Sequence, residues 1–249
     1  MGMVRFIQAF TLLLLCGMAE TADADRGDKF IVRPRGRFYV QALPYLNKGV
    51  ELRDKGDIQG ARQCFDAAIQ IDNRLWPAYL DRAEIFAHTG QLELALQDCN
   101  TAAHLRPDFY RTFIIRAMIY RRMGRCREGL ADLDRIISFH GNEETDALAL
   151  SRRALLRATC RDATVRDPKL ALADAKQACN LSAWAKATYI GTLGLACAAS
   201  GDFEAAIRYE QQAINTGKYS DEELRDAKQR LSHYEHHQPV SARDGSRAQ

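Results

Sequence analysis

Apolar residues recur along most of this chain at the spacing of helix faces, and the whole pattern returns at a fixed interval. Aromatic residues lie at Tyr45, Tyr79 and Phe113, each 34 residues after the one before. A small residue follows each of them, and the alignment extends into a fourth segment: the small residues are Gly49, Ala83, Ala117 and Ala154. Apolar positions at i, i+3, i+4 and i+7 predict α-helices, and no stretch alternates with period two as a strand would. The pattern predicts an all-α fold of repeated helix pairs that cross at the small residues.

Glycines are expected at the turn inside each helix pair, because glycine adopts the left-handed conformation that ends a helix at little steric cost. Four glycines have this position: Gly56, Gly90, Gly124 and Gly201. Asp57 and Asp202 directly follow two of them. An aspartate there is a good N-cap, so each is expected to start the second helix of its pair.

Taken together, the period and the residue order resemble the tetratricopeptide repeat, whose second helix carries a pattern like that of Ala61, Phe65 and Ala68. The resemblance implies an all-α tetratricopeptide repeat solenoid over residues 42–236. Such a fold is a right-handed superhelix of helix-turn-helix repeats, here about five, closed by a C-terminal capping helix. Solenoids of this family mostly serve as binding surfaces for other proteins, and we expect no enzymatic activity.

The second half of the chain departs from strict periodicity. Its fourth unit is expected to have helices over 146–159 and 167–181, separated by an insertion of about five residues near 161–166, and insertions in repeats map to loops. This half resembles the C-terminal repeats of bacterial tetratricopeptide proteins, many of which are predicted to be exported. The residues that carry that resemblance include Cys160, Asp162, Asp167, Cys179, Trp184, Tyr189, Leu193, Asp202 and Phe203. Apolar residues at helical spacing from Leu224 to Tyr234 predict the capping helix, and residues 237–249 are expected to form a disordered tail.

The first residues have a different composition. Basic Arg5, an apolar run around Leu12 to Leu15 and the small residues Ala22 and Ala24 fit a secretory signal peptide over residues 1–24. We therefore expect export to the periplasm or the medium, with no integral membrane segment once the signal is cleaved. An uncleaved anchor and a helix packed on the first repeat are the alternatives. Residues 25–41 form a basic approach segment that is expected to lack regular structure because it contains Pro34 and Gly36.

Candidate chemistry is sparse. The net charge of +3 requires neither a nucleic-acid nor a membrane partner. No phosphate-binding loop or nucleophile elbow is present. The paired histidines His233 and His237 favour a solvated face over a metal, and no cofactor is expected. Cysteines at packing positions, Cys64, Cys99, Cys179 and Cys197, are expected to act as small apolar residues. If a disulfide forms, the expected pair is Cys160 with Cys197.

The most informative local feature is a run of arginines in the third unit with no acidic residue among them: Arg111, Arg116, Arg121, Arg122, Arg125 and Arg127. In the family that this chain resembles, the first helices line a concave groove. The residues predicted to line it are Leu46, Val50, Leu80, Glu84, Arg111, Ile115, Met118, Arg121, Arg122, Ser151, Arg152 and Leu155. Leu46 and Val50 stand where chaperone-binding relatives need lysine and asparagine, so chaperone C-termini are disfavoured.

Two functions remain open for this groove. The expected partner is a protein or peptide that offers acidic groups beside apolar anchors. The alternative is a nucleic acid or another polyanion bound through the arginine-rich third unit, although an export signal argues against nucleic acid. The structural alternative is that the arginines lie on a solvated charged face and pair with Asp132 and Asp134 or with the loop residues Glu143 and Glu144.

Overall fold

The computed structural model describes residues 36–139 and 141–238, and it divides the chain into two units at residue 40. Within these ranges the secondary structure consists of eleven α-helices without a strand. The helices are α1 (Arg37–Asp54), α2 (Ile58–Ile71), α3 (Trp76–His88), α4 (Leu92–Leu105), α5 (Tyr110–Arg122), α6 (Cys126–Ser138), α7 (Glu143–Thr159), α8 (Pro168–Leu181), α9 (Ala187–Ala199), α10 (Phe203–Asn215) and α11 (Asp221–Glu235). The predicted signal peptide and the tail from residue 239 lie outside the described residues.

The helices form five successive pairs followed by α11. We call the first helix of each pair the A helix and the second the B helix. The four glycines predicted at the A-to-B turns all have φ between 77° and 84°. Asp57 and Asp202 cap α2 and α10, since their carboxylates accept hydrogen bonds from Gly60 N and Ala205 N at 2.9 Å. The turn chemistry read from the sequence is therefore confirmed.

Packing is local, as expected for a stack of repeats. Separate clusters of buried side chains join neighbouring pairs, with Cys99 and Ile119 in one cluster and Leu133 and Leu156 in another. From α3 onwards each A helix packs against the next A helix, whereas successive B helices in the described part do not pack against each other. The A helices therefore lie side by side on one face of the stack, which we call the inner face after the prediction from the sequence, and the B helices lie on the other.

Two boundaries differ from the sequence prediction. Helix α1 begins at Arg37, inside the approach segment that was expected to be irregular, because Gly36 precedes the helix instead of interrupting it. Helix α7 begins at Glu143, where Asn142 caps it by accepting a hydrogen bond from Thr145 N at 2.8 Å. The predicted insertion forms the loop between Thr159 and Pro168.

A disulfide bridge is present, and its pairing corrects the sequence expectation. Cys160 bonds to Cys126 and not to Cys197, with the two Cα atoms 6.3 Å apart. Cys126 begins the B helix of the third pair, and Cys160 directly follows the A helix of the fourth. The bridge thus joins neighbouring pairs at the insertion loop. Cys99, Cys179 and Cys197 are buried free thiols, as expected, and Cys64 is half-buried.

The last pair is covered by α11. Ser220 and Glu223 form a capping box at its start, and Ala227 and Tyr234 are buried. Glu210 of α10 is completely buried, and its carboxylate accepts two hydrogen bonds from Arg230 of α11 at 3.0 and 2.8 Å. A buried ion pair and an apolar stripe together attach the capping helix.

Candidate functional site: the inner face of the A helices

Burial divides the predicted groove residues into three classes. Leu46, Leu80 and Ser151 are buried, so they offer almost no surface to a partner. Arg111 and Arg122 are exposed. The remaining members are half-buried: Val50, Glu84, Ile115, Met118, Arg121, Arg152 and Leu155. The accessible part of the predicted groove is therefore concentrated on α5 and α7, in the third and fourth pairs.

Many arginines of the A helices have structural roles. Arg82 donates two hydrogen bonds to Asp98, both at 2.8 Å, and Arg116 donates two to Asp132 at 2.8 and 2.6 Å. Asp98 and Asp132 are buried, and each belongs to the B helix of the same pair. Bidentate pairs of this kind are among the stronger polar contacts in proteins. They fix the A helix against its B helix.

The same arginines reach back to the preceding pair. Arg82 binds Asp66 at 2.6 Å, and Arg116 binds Asn100 at 3.0 Å. Arg153 repeats the arrangement in the fourth pair: it donates two hydrogen bonds to Asp174, at 2.9 and 2.7 Å, and one to Asp134 at 2.6 Å. A guanidinium in each of these pairs thus ties three helices together, so these arginines are unavailable to a partner.

Arg111, predicted as a groove residue in a run that contains no acid, has a carboxylate partner in the preceding pair. Its guanidinium lies 3.0 Å from the carboxylate of Glu84, which is also 3.7 Å from Arg53. Arg53 in turn binds Asp81 at 2.7 Å. Burial raises the pKa of Asp81, and the charge of Arg53 opposes that shift. These two cations and two anions balance, so the groove is electrically neutral at the second pair.

The remaining arginines of the third pair differ from one another. Arg125 pairs with Glu128 at 2.8 Å, and Arg127 lies 3.7 Å from Asp162. Arg122 has no carboxylate partner among the described residues and donates instead to the carbonyl oxygen of Ala87. Of the six arginines in the run, four have a carboxylate partner within the described ranges. Most of these arginines are therefore paired, but of the four partners only Asp132 is among the acids predicted from the sequence to pair with them.

Arg121 and Arg152 are the exceptions. The Nε atom of each is buried and has no hydrogen-bond partner in the part of the chain that the structure describes. Burial and the nearby positive charges of Arg152 and Arg122 lower the pKa of Arg121 to about 10. Burial also lowers the pKa of Arg152, with Tyr189 and Glu223 opposing the shift. Two half-buried cations from successive A helices therefore lie within electrostatic reach of each other.

Half-buried apolar residues share the two helices of this arginine pair. Ile115 and Met118 lie on the same helix as Arg121, and Leu155 lies on the same helix as Arg152. All three are half-buried at the edge of the core clusters. Burial raises the pKa of Tyr189 of α9, and the positive charge of nearby Arg152 opposes that shift. Sequence reasoning named both arginines, but it missed their mutual proximity, since nothing in the repeat pattern relates those two positions.

The other candidate residues from the sequence do not assemble into a site. His237 follows the end of α11 with φ 54° and packs edge-on against Phe203, so it does not share a helix face with His233. Over the described ranges, no group of three His, Cys, Asp or Glu side chains could hold a metal ion. None of the described helices is long and apolar enough to cross a membrane.

Comparison with known proteins agrees with this architecture. Residues 46–108 match the tetratricopeptide repeat family model. The type IV pilus biogenesis factor PilW superposes with a TM-score of 0.65 at 15% identity, covering 79% of this chain and 86% of that one. The Cut9–Hcn1 hetero-tetramer of the APC/C gives a TM-score of 0.64 at 20% identity over 79% of this chain, which spans only 36% of the matched chain.

A third solved structure is YrrB, described as a tetratricopeptide repeat protein with an unusual peptide-binding site. It superposes with a TM-score of 0.51 at 16% identity and covers 85% of this chain and 97% of its own. At identities this low the likeness shows the fold alone. The fold is that of a multi-repeat solenoid.

Proposed function

We propose that this chain, a multi-repeat tetratricopeptide repeat protein, is a non-enzymatic exported scaffold that binds a protein or peptide on the inner face of its A helices. The observation that carries the proposal is the half-buried apolar surface of Ile115, Met118 and Leu155 on the same two helices as cations that the described part of the fold leaves without carboxylate partners. Most other arginines on this face complete their bonds internally. The peptide-binding site reported for YrrB supports the same use of the fold here.

The polyanion alternative loses support for the same reason. It needs a row of free cations, because nucleic-acid affinity grows with the number of phosphates that are neutralised. Four of the six arginines in the run from Arg111 to Arg127 instead have carboxylate partners, and Asp81 adds a further negative charge to the neighbouring part of the face. A surface of this composition suits one or two acidic groups better than a phosphate backbone.

The binding proposal is tested with a displayed library of random short peptides. Peptides selected on the wild-type protein should bind Met118→Ala and Leu155→Ala about tenfold more weakly, because each change removes apolar contact area. Lys176→Ala is the matched control, since Lys176 is exposed on the B helix α8. A library that yields no binders, or binders that ignore both groove variants, would contradict the proposal.

Export is supported by the leader pattern of Arg5, Leu12 to Leu15 and Ala22 to Ala24. It is also consistent with the Cys126–Cys160 bridge, since disulfides persist mainly in oxidising compartments. Native protein purified from its source should begin near Asp25, or near Glu20 if the alternative cleavage site is used. N-terminal sequencing measures this, and a native chain that retains Met1 in the cytoplasm would contradict export.

A further inference from the structure

The buried Nε–H groups of Arg121 and Arg152 lack a hydrogen-bond acceptor among the described residues. Arginine has five N–H donors and no acceptor, so a buried Nε–H can be satisfied only by an acceptor that approaches it. In native structures, the large majority of buried polar groups have such a partner, and each exception requires an explanation. The two exceptions are of the same chemical type, and they lie on successive A helices, α5 and α7, that pack against each other.

We propose that Arg121 and Arg152 together form a subsite for a carboxylate of an acidic peptide segment, a proposal that rests on the inner face being the binding surface. Arginine suits the task because its planar fork matches the two oxygens of a carboxylate. An anion bound between the two guanidinium groups would relieve the repulsion between their charges. Exposed Arg122, whose charge also reaches Arg121, lies at the rim of the subsite.

The neighbouring arginines show that this arrangement is not a general property of the fold. Arg116 lies on the same helix as Arg121 and binds Asp132. Arg153 is adjacent in sequence to Arg152 and binds Asp174 and Asp134. Internal acids therefore satisfy these structural arginines of both helices. Arg121 and Arg152, beside the apolar surface of Met118 and Leu155, are left for an external acceptor.

A peptide carboxylate fits these surroundings better than a phosphate of nucleic acid. The subsite supplies two cations, and apolar Met118 and Leu155 each lie one helical turn from one of them. A folded or extended peptide can place an acidic residue next to an apolar one. A nucleic acid would need a longer positive track. The neutral cluster of Arg53, Asp81, Glu84 and Arg111 interrupts any such track at the second pair.

The first experiment uses the same displayed peptide library on the wild-type protein and on the double variant Arg121→Gln/Arg152→Gln. The wild type should enrich Asp or Glu beside apolar residues, and the double variant should keep the apolar preference but lose the acidic one. A selected peptide should bind the double variant about tenfold more weakly, and its Glu→Gln version should bind both proteins equally. Arg127→Gln is the control, because it removes the same charge from a side chain that is 71% exposed.

The outcomes separate the two proposals. Selected peptides without acidic enrichment that still depend on Met118 would overturn the carboxylate subsite and leave the groove proposal intact. Peptides that bind the double variant as well as the wild type would also overturn the subsite. An absence of any selected peptide contradicts the groove proposal, and the subsite is then decided by the second experiment.

The second experiment needs no peptide. The melting temperature is measured at increasing concentrations of glutarate, a dicarboxylate. A chloride series at the same ionic strength is the reference. Ligand binding to the native state raises the melting temperature, so glutarate should stabilise the wild type more than the double variant. Equal responses would overturn the subsite. A single-stranded oligonucleotide is the last probe, and tight binding that the double variant loses would replace the acidic peptide with a polyanion.

Discussion

Arg121 and Arg116 lie on the same helix, yet only Arg116 has a carboxylate partner among the described residues. Arg116 is bound by buried Asp132, whereas the Nε of Arg121 has no partner among the described residues. An unpaired, half-buried cation destabilises the fold that carries it, so Arg121→Met should raise the free energy of unfolding by about 1 kcal/mol. This corresponds to an increase of a few degrees in melting temperature for a chain of this size, and thermal denaturation measures it.

Arg116→Met is the matched control, because it makes the same substitution on the same helix. It leaves the buried carboxylate of Asp132 without its bidentate partner, so it should lower the free energy of unfolding by about 3 kcal/mol. If both variants lose comparable stability, Arg121 is a structural residue and the functional interpretation of its unpaired charge is wrong. Stability gained at Arg121 together with weaker peptide binding is the trade-off expected of a binding residue.

At the residue scale, the sequence alone indicates some of the arginines that are paired with internal carboxylates. Arg82 and Arg116 each have their carboxylate partner 16 residues later, at Asp98 and Asp132. The constant spacing is visible without a structure and would have marked Arg116 as structural. No such spacing distinguishes Arg121 from Arg122. Arg122 donates to a carbonyl oxygen of the preceding pair, that of Ala87, and Arg152, which acts on Arg121, belongs to the following pair. Which cation remains unpaired depends on how the units stack.

The capping helix illustrates how a single element is held by a buried charge pair. Glu210 is fully buried, and burial raises its pKa even though Arg230 opposes the shift. Arg230→Met should remove that opposition and leave the carboxylate unpaired, which costs about 3 kcal/mol of unfolding free energy at neutral pH. Loss of protection in α11, followed by amide hydrogen exchange over residues 221–235, should accompany it.

The pH dependence of this variant has a defined sign. A carboxyl whose pKa is higher in the folded state contributes stability at low pH, and this contribution is lost as the pH rises through the folded-state pKa. Without Arg230 the folded-state pKa of Glu210 rises further. The stability gap between wild type and Arg230→Met should therefore narrow as the pH falls toward 4.5, the ordinary pKa of glutamate. A gap that widens on acidification would show that the pair does not control the attachment of α11.

Most elements were predictable from local pattern, and the exceptions have physical reasons. The A-to-B turns followed from glycines that need positive φ, and the insertion in the fourth pair followed from a break in the period. The start of α1 at Arg37 was missed because glycine at position 36 was counted against the helix, although it only precedes it. The prediction of this helix start relied on a single residue, whereas the prediction of the repeat relied on many positions that agree.

At the scale of the molecule, a covalent link joins two neighbouring pairs of the stack. The Cys126–Cys160 bridge closes a span of 34 residues and fastens the insertion loop of the fourth pair to the start of α6. The sequence favours Cys160 with Cys197 only on the condition that a bridge forms, because both are assigned to A helices that run side by side; the bridge that forms contains Cys160 but a different partner. Cys160 in fact follows the end of α7, where the chain turns toward the third pair.

Thiol labelling distinguishes a Cys126–Cys160 bridge from a Cys160–Cys197 bridge, and it also tests whether the remaining cysteines are buried. Burial raises the pKa of Cys99 and Cys179 to about 12 and that of Cys197 to about 11, so their reactive thiolate forms are scarce near neutral pH. In native, unreduced protein at about pH 8, an alkylating reagent should therefore modify half-buried Cys64 far faster than those three. Unfolding without reductant should expose Cys99, Cys179 and Cys197, whereas Cys126 and Cys160 should react only after reduction. Peptide mapping by mass spectrometry measures each site. If Cys160 and Cys197 were protected together while Cys126 reacted, the order of the pairs around the insertion loop would differ from the one described.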